Sequence, residues 1–466
     1  MARNGILLLS SLFFYFWGEG AYTAIMLIYI IGNYGFARAI EYFKQSANRI
    51  LGLKRAKAFL VFAVTFDLSF LVYYKYVHFL LINLNPLFDR LAFPFQAGPV
   101  HLPIGISFFA FQSISYVVDV YRGEVKASPS LINFATYKSF FPQLIAGPIV
   151  RYRDVARQVV DRTVSLEQFS YGLKRFIVGL GKKVIVANSV AAVADEIFKI
   201  PSNDLTPAVA WLGILCYTLQ IYYDFSGYSD MAIGMGRMFG FQFLENFNYP
   251  YISLSIREFW RRWHISLSTW FRDYLYKPLG GNRCGVGRVY FNLVLVFSLC
   301  GLWHGASWTF AIWGLWHGLF LLLERTSMGI WLEKSWLPIR SLYTLLVVAI
   351  GWVFFRSDSL TYALYYLLSA FGFARGDGVG YPIWAYLNRE LMLLMILGIL
   401  FATPLAPALG RLPGRFSASL GEVGPSAPPA KALLEACQSM GYLVMLIFCA
   451  MLLASGTHNP FIYFRF

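Results

Sequence analysis

Charged side chains are scarce in this sequence of 466 residues, of which aspartate, glutamate, lysine and arginine together make up 14%. Soluble domains contain about 25% charged residues, because a surface in contact with water must be polar. Hydrophobic residues make up 58% of the chain, and this surplus of apolar surface must face lipid. The composition excludes an ordinary soluble enzyme and predicts a single all-α integral membrane domain over residues 1–466.

Cysteine is also scarce, and the spacings typical of metal ligands are missing. The five cysteines are scattered and form no CxxC pair, so neither a disulfide framework nor a zinc site is indicated. The HExxH spacing of zinc hydrolases is absent too. We therefore expect no metal site and no tightly bound cofactor.

Long apolar runs recur along the chain with short connections. A spanning helix needs about 20 apolar residues, and this measure predicts roughly ten to twelve full spans with one to three re-entrant segments. The run at 133–150 contains Pro142, Gly147 and Pro148, so we expect a broken or re-entrant segment there. Broken backbone at membrane depth must be surrounded by protein or water, and such segments often line a cavity.

Basic residues are in excess, and the formal net charge is +15. They form short clusters between the apolar runs, such as Arg151, Arg153 and Arg157, or Lys182 and Lys183. This distribution fits cytoplasmic loops that lie beside anionic lipid. We expect contact with membrane lipid and no binding of nucleic acid.

The segment 256–288 differs from the rest because basic and aromatic residues alternate in it at helical spacing. Such a pattern is typical of a helix that lies in the membrane interface. Two interpretations stay open. The segment anchors the protein to lipid on the cytoplasmic side, or it forms the wall of an entrance that attracts an anionic substrate, such as a phosphorylated cofactor.

Two histidines lie within apolar stretches, His304 in a Trp-His-Gly motif and His317 in a second one. A buried imidazole must be paired, and polar groups at membrane depth tend to face cavities. A structural histidine that bonds a backbone carbonyl is the alternative to a functional one. Gly305 permits another group to approach the ring of His304 closely, which favours function at this position.

The spacing of the two histidines argues against a catalytic pair. They are thirteen positions apart, which on one continuous helix gives about 20 Å of rise and different faces. Contact between His304 and His317 therefore requires a turn at Gly305–Ser307. We expect at most one of them to be the reactive group.

His264 lies in the basic aromatic segment, and Ser268 follows four residues later, on the same face of a helix. The GxSxG elbow of serine hydrolases is absent, which disfavours serine hydrolysis. We expect His264 to bind or position a substrate group.

A further polar cluster, at 222–230, contains Asp224, Ser226 and Asp230. The two carboxylates are six positions apart and lie on different faces of a helix, which argues against a metal pair. One interpretation is a hydrogen-bonding hub between helices. The other, in which Asp224 and Ser226 contact substrate, is kept as a prediction.

Seven sequence blocks together resemble the membrane-bound O-acyltransferase family, and within it the bacterial alginate O-acetyltransferase branch. Blocks of this length are more specific than a short motif. The blocks are Leu102–Phe108, Leu144–Pro148, Tyr223–Ala232, Glu258–Trp270, Arg272–Tyr276, Leu279–Arg283 and Gly301–Gly305. Relatives usually begin with one further apolar segment before the one that corresponds to Leu7–Trp17.

The resemblance implies a ring of tilted transmembrane helices around a tunnel that crosses the membrane. The core of the family would occupy about residues 100–360, followed by C-terminal helices at about 390–455. The resemblance also implies that His304 is the essential histidine and that His264 is a second, supporting histidine in the tunnel.

The resemblance further implies acetyl-CoA as the donor, with its phosphates near Arg261, Arg262 and Arg272 and its thioester beside Trp303 and the essential histidine. That histidine would act either as a general base or as a nucleophile. His264 would orient or polarise the donor. A transporter of the acyl donor and a structural scaffold for polysaccharide export are the alternatives to an enzyme.

For the partners, the resemblance implies a periplasmic acetyltransferase of the SGNH class and the machinery of polysaccharide export. The protein is then expected as a multi-pass protein of the bacterial inner membrane. Alginate is the expected acceptor, with cellulose and peptidoglycan as alternatives.

Overall fold

The structure is a computed structural model that describes residues 2–90, 98, 100–145, 147–374, 376, 379–410, 428–456 and 461. Within these residues all regular structure is helical. The α-helices are α1 (Ala2–Glu19), α2 (Thr23–Lys44), α3 (Arg49–Leu71), α4 (Val77–Arg90), α5 (Ile106–Arg122), α6 (Leu131–Ser139), α7 (Phe141–Leu144), α8 (Tyr152–Val160), α9 (Leu166–Gly181), α10 (Asn188–Ile197), α11 (Pro207–Met238), α12 (Ile256–Arg262), α13 (Ile265–Phe271), α14 (Val286–His304), α15 (Trp308–Leu323), α16 (Ser327–Lys334), α17 (Leu337–Arg356), α18 (Leu360–Ala370), α19 (Arg389–Phe401), α20 (Leu405–Gly410) and α21 (Pro428–Ala454).

Six helical segments of the described chain are long and apolar enough to cross a membrane, and two shorter apolar helices accompany them. The predicted all-α integral membrane architecture is confirmed. The predicted count of ten to twelve crossings stays a prediction, because length and composition do not decide whether the less apolar helices cross the membrane. The six segments are Ala2–Lys44, Arg49–Arg90, Leu166–Ile197, Val286–His304, Leu337–Arg356 and Ala436–Ala454.

Large apolar side chains cover the outside of the helical assembly. On α21, for example, Met440, Leu443 and Val444 are 60%, 49% and 58% exposed. Exposed apolar surface on this scale is stable only against lipid, so these faces of the helices contact the bilayer.

The helices α14 and α15 form a hairpin, and two glycines face each other where the helices pack. A Cβ on Gly301 would lie 2.2 Å from the carbonyl oxygen of Phe310, and one on Gly314 would lie 2.2 Å from that of Phe297. Small residues permit such close approach of two helix backbones in a membrane. This approach fixes the end of α14, where His304 lies.

The predicted broken segment is confirmed between α6 and Val150. The helix α6 ends at Ser139, and the chain makes only the single turn of α7, which contains Pro142. Gly147 then adopts a φ of +106°, in the left-handed region that favours glycine. The non-helical chain brings Ile145 to the wall of an internal cavity.

The basic aromatic segment does not form one continuous helix, so the predicted common face of His264 and Ser268 was wrong. The helix α12 ends at Arg262, and His264 takes a left-handed conformation with a φ of +41° before α13 begins. Long-range hydrogen bonds hold the break, because the Asn248 amide donates to the Arg262 carbonyl and the Ile265 amide donates to the Asn246 carbonyl. Local periodicity does not reveal such partners.

Candidate active site

His304 is the last residue of α14, and aromatic rings enclose its imidazole. The ring centroids of Trp303, Trp313 and Phe355 lie 5.0, 5.0 and 5.2 Å from that of His304. The residue is 4% exposed. Burial among apolar rings favours the neutral form of an imidazole, which is the form that a base or nucleophile requires.

The buried amine of Lys75 holds the end of α14 in place. Its Nζ donates to the carbonyl oxygens of Trp303 at 2.5 Å and His304 at 3.2 Å, and to the hydroxyl of Ser107 at 3.3 Å. The last carbonyls of a helix have no partner within the helix, so a cation at this end is stabilising. Sequence analysis missed this residue, although a lone lysine within an apolar helix was the available signal.

His264 approaches His304 although forty positions separate them in the chain. Their ring centroids are 6.4 Å apart, and Trp303 lies 6.1 Å from His264. The left-handed backbone of His264 turns this fully buried ring away from the axis of α13. The structure therefore brings together the two histidines that were predicted as catalytic.

His317 does not join this pair. The chain does turn at Gly305–Ser307, but α15 carries His317 along α14 to the level of Phe297, away from the helix end where His304 lies. The indole of Trp313 lies between them, with ring centroids 5.0 Å from His304 and 5.1 Å from His317. Across the described part of the chain, neither nitrogen of His317 has a hydrogen-bond partner.

A cavity of about 400 Å³, called the basic cavity, is lined by α14 and by the two short helices α12 and α13. The predicted Arg261 and Arg272 line it, and so does Arg257, which had not been singled out as a candidate. Arg261 is exposed, and no residue within the described ranges forms an ion pair with it. The wall of the basic cavity includes Arg257, Trp260, Arg261, Arg272, Phe297 and Cys300.

Three of the predicted substrate-binding residues lie elsewhere. Arg262 donates to Glu258 at 2.9 Å and to the Asn248 carbonyl at 3.1 Å, and it does not line the basic cavity. Asp224 forms a buried ion pair with Lys183, which fits a hub between helices. Ser226 is buried on the same helix, α11, and lines neither the basic cavity nor the internal cavity beside Ile145.

A buried carboxylate, Asp273, organises the charges beside the basic cavity. It accepts hydrogen bonds or ion pairs from Arg151, Arg153, Arg272 and Lys277 at 2.8 to 3.3 Å. Burial raises the pKa of this carboxyl group, but the hydrogen bonds and charges of Arg272 and Lys277 outweigh burial and hold the pKa below its ordinary value. Asp273 therefore stays charged and fixes the direction of these basic side chains.

A second cavity of about 380 Å³, called here the histidine cavity, follows the basic cavity along α14. Between them Phe111 stacks on Trp270 at 3.7 Å and on Trp303 at 5.3 Å. The two histidines lie in this aromatic layer, and His304 also lines the histidine cavity. The wall of the histidine cavity includes Glu19, Lys75, His101, Ser107, Trp303 and His304.

Comparison with known proteins finds one matching family and several similar proteins. The family model described as the membrane-bound O-acyltransferase family matches residues 56–368, which contain both histidines. A probable alginate O-acetylase of Pseudomonas putida is 41% identical over 100% of this chain and 94% of its own length. One of Azotobacter vinelandii is 45% identical over 79% and 73%. A peptidoglycan O-acetyltransferase of Helicobacter pylori is 35% identical over 77% and 72%.

Proposed function

The chain belongs to the membrane-bound O-acyltransferase family, and from this premise we propose that it moves an acetyl group from acetyl-CoA to a hydroxyl acceptor across the membrane. It is a multi-pass membrane O-acyltransferase. The observation that carries the proposal is the convergence of His264 and His304, 6.4 Å apart, between two cavities of different character. One cavity is basic and suits a phosphorylated donor, and the other, which His304 lines, would receive the acceptor.

The basic cavity supports a donor that carries phosphate groups. Arg257, Arg261 and Arg272 place three guanidinium groups at its wall, and guanidinium groups match phosphate geometry with paired hydrogen bonds. The cavity reaches Cys300, which lies one helical turn before His304 on α14. A donor with its phosphates among the arginines would direct its thioester along α14 towards the histidines.

The chemistry requires a neutral imidazole, and two versions fit the site. In one, His304 removes the proton of the acceptor hydroxyl while the oxygen attacks the thioester carbon and the thiol leaves with that proton. In the other, His304 attacks the thioester carbon with its lone pair, and the thiol leaves with the hydrogen of the opposite ring nitrogen. The acetyl group then stays on His304 until the hydroxyl takes it. The aromatic layer excludes water, which protects the acyl donor from hydrolysis.

The names of the relatives support the O-acetylation of a polysaccharide as the purpose of the transfer. Several are named as probable alginate O-acetylases and another as a peptidoglycan O-acetyltransferase. We propose alginate as the polymer, ahead of cellulose and peptidoglycan. The inner membrane would hold the protein, and a periplasmic acetyltransferase of the SGNH class, with the export machinery, would complete the transfer.

The test is acetyl transfer by the purified full chain in liposomes with labelled acetyl-CoA outside and an acceptor inside. We expect labelled ester within the liposomes, and we expect His304→Ala to abolish it while the variant keeps the melting temperature of the native protein. Delivery of intact acetyl-CoA without an ester product would instead identify a transporter. Full transfer by His304→Ala would refute both versions of the chemistry.

A further inference from the structure

The amide of Asn246 has a fixed orientation next to His264. Its Oδ1 lies 3.2 Å from the backbone nitrogen of Ser266, and a backbone amide can only donate a hydrogen bond. Its Nδ2 donates to the hydroxyl of Ser229 at 3.2 Å. The atom of Asn246 that faces Ser266 is therefore the carbonyl oxygen, because a reversed amide would lose the bond from the Ser266 backbone and turn two donors towards each other.

The hydroxyl of Ser266 agrees with this orientation. Its Oγ accepts a hydrogen bond from the backbone amide of Ile149 at 2.9 Å, so its single hydrogen is free to point elsewhere. That hydrogen is donated to Oδ1 of Asn246 at 2.8 Å. Both donors of Ser266 thus identify Oδ1 of Asn246 as an acceptor.

The orientation of Asn246 in turn determines which nitrogen of His264 carries the hydrogen. Nδ1 of His264 lies 3.2 Å from Oδ1 of Asn246, so it must be the donor. A neutral imidazole has one N–H, and the other nitrogen then carries a lone pair. Nε2 of His264 is buried and has no hydrogen-bond partner among the residues that the structure describes.

We propose that Asn246 is a positioning residue that holds His264 as the Nδ1–H tautomer, which makes Nε2 a hydrogen-bond acceptor in the reaction centre. This inference rests on the proposed acyl transfer. It replaces the expectation that His264 polarises the donor, because a neutral ring with Nδ1–H bonded to Asn246 has no hydrogen for the thioester carbonyl. A thioester offers no hydrogen either, so the group that Nε2 binds is the hydroxyl of the acyl acceptor.

This assignment favours the version in which His304 carries the acetyl group. The hydroxyl proton then moves to Nε2 of His264 as the oxygen bonds the acetyl carbon and the bond from that carbon to His304 breaks. The proton passes to the released nitrogen of His304, which restores both neutral rings. Nδ1–H of His264 stays bonded to Asn246 throughout, so the ring keeps its orientation when it becomes charged.

Few other groups influence the charge of His264. The rings of Phe225 and Trp303 lie 4.6 and 6.1 Å from it, and the titratable ring of His304 lies 6.4 Å away. Asn246 and Ser266 are uncharged. A carboxylate introduced at position 246 is therefore the simplest way to change the proton affinity of His264 alone.

The kinetic experiment compares Asn246→Ala and Asn246→Asp in the full chain. We expect Asn246→Ala to lower kcat about 10- to 100-fold with little change in KM for acetyl-CoA, as is usual when a partner that orients a histidine is lost. Asn246→Asp retains an acceptor, so we expect it to recover part of kcat and to move the acid limb of the pH profile upward by about one unit or more. An unshifted profile for Asn246→Asp would overturn the proposal.

Asn292→Ala is the matched control. Asn292 is also fully buried and donates to the Leu279 carbonyl at 3.1 Å, but it lies three helical turns before His304. Its removal should affect stability and leave the pH profile unchanged. If it lowers kcat as much as Asn246→Ala at equal folded fraction, the effect of Asn246 is only structural.

A spectroscopic experiment tests the tautomer without reference to activity. The full chain contains six histidines, so ¹⁵N-histidine labelling in nanodiscs gives few signals, and His264→Gln identifies the signals of interest. We expect a protonated Nδ1 and an unprotonated Nε2, and we expect this pattern to be lost in Asn246→Ala. A protonated Nε2 would refute the inference even if acyl transfer is confirmed. The expected tautomer without any acyl transfer would refute the proposed function alone.

Discussion

The ammonium group of Lys75 lies 3.2 Å from the carbonyl oxygen of His304, at the end of the helix that carries this histidine. A cation and the imidazole that is predicted to be essential therefore share one helix terminus, although 229 positions separate them. All three hydrogens of the ammonium group have acceptors in the Trp303 and His304 carbonyls and in Ser107. Lys75 thus holds the end of α14, at the wall of the histidine cavity.

Replacement of Lys75 by methionine should lower kcat by about 100-fold, because a displacement of about 1 Å at a reacting group is enough for such a loss. The substitution keeps an unbranched side chain, although it is one atom shorter, and removes its three hydrogen bonds. The measurement is the steady-state rate of acetyl transfer per folded molecule. A kcat within twofold of the native value would contradict the role of Lys75.

Lys138→Met is the matched control for that variant. Lys138 is fully buried, and it donates to the Phe109 carbonyl and to the hydroxyl of Ser113 at 2.8 Å, away from the histidines. We expect a similar loss of melting temperature and an unchanged rate per folded molecule.

Neutralisation of the basic cavity should weaken donor binding. Arg261→Gln and Arg272→Gln should each raise KM for acetyl-CoA by about tenfold, because a hydrogen bond to a charged group contributes about 1.5 kcal/mol. Arg262→Gln removes the same charge one residue along the chain, but this arginine does not line the basic cavity and should change KM much less. Equal changes for all three variants would show that only net charge matters.

His317 should be dispensable for catalysis. Its two ring nitrogens have no hydrogen-bond partners within the described chain, and aromatic side chains such as Trp260 and Trp313 surround the ring. Removal of a buried polar group without partners is stabilising, and this gain offsets the packing that the ring provided. His317→Leu should therefore keep activity within about twofold and stability within about 1 kcal/mol. Parallel assays of His317→Leu and His304→Ala provide the check.

The turn after His304 should be sensitive to a single added methyl group. A Cβ at Gly305 would lie 2.1 Å from the ring of Phe310, whereas the extended backbone at this position is open to any residue. Gly305→Ala should therefore cost about 1 to 3 kcal/mol through overpacking. The double variant Gly305→Ala with Phe310→Leu should recover part of the melting temperature and activity. No recovery would mean that the contact with Phe310 is not the cause.

Much of this molecule was predictable from local patterns. Composition predicted the membrane class, the proline and glycine content of 133–150 predicted its broken backbone, and the Trp-His-Gly motif identified His304. These features are properties of single segments. Hydropathy, helix-breaking proline and glycine residues, and short motifs act over a few residues, so they can be read directly from the sequence.

The sequence alone therefore determined that this protein lies in lipid, that it is helical and to which family it belongs, and it singled out His304 as the candidate for the reactive histidine. Only the tertiary structure decided the rest of the site. The hydrogen bonds from 246–248 to 262–265 break the basic aromatic segment and turn His264 towards His304. The packing of α14 against Lys75 and against α15 fixes the helix end. These contacts join segments that are far apart in the chain, and no local periodicity encodes which distant partner a polar group will find.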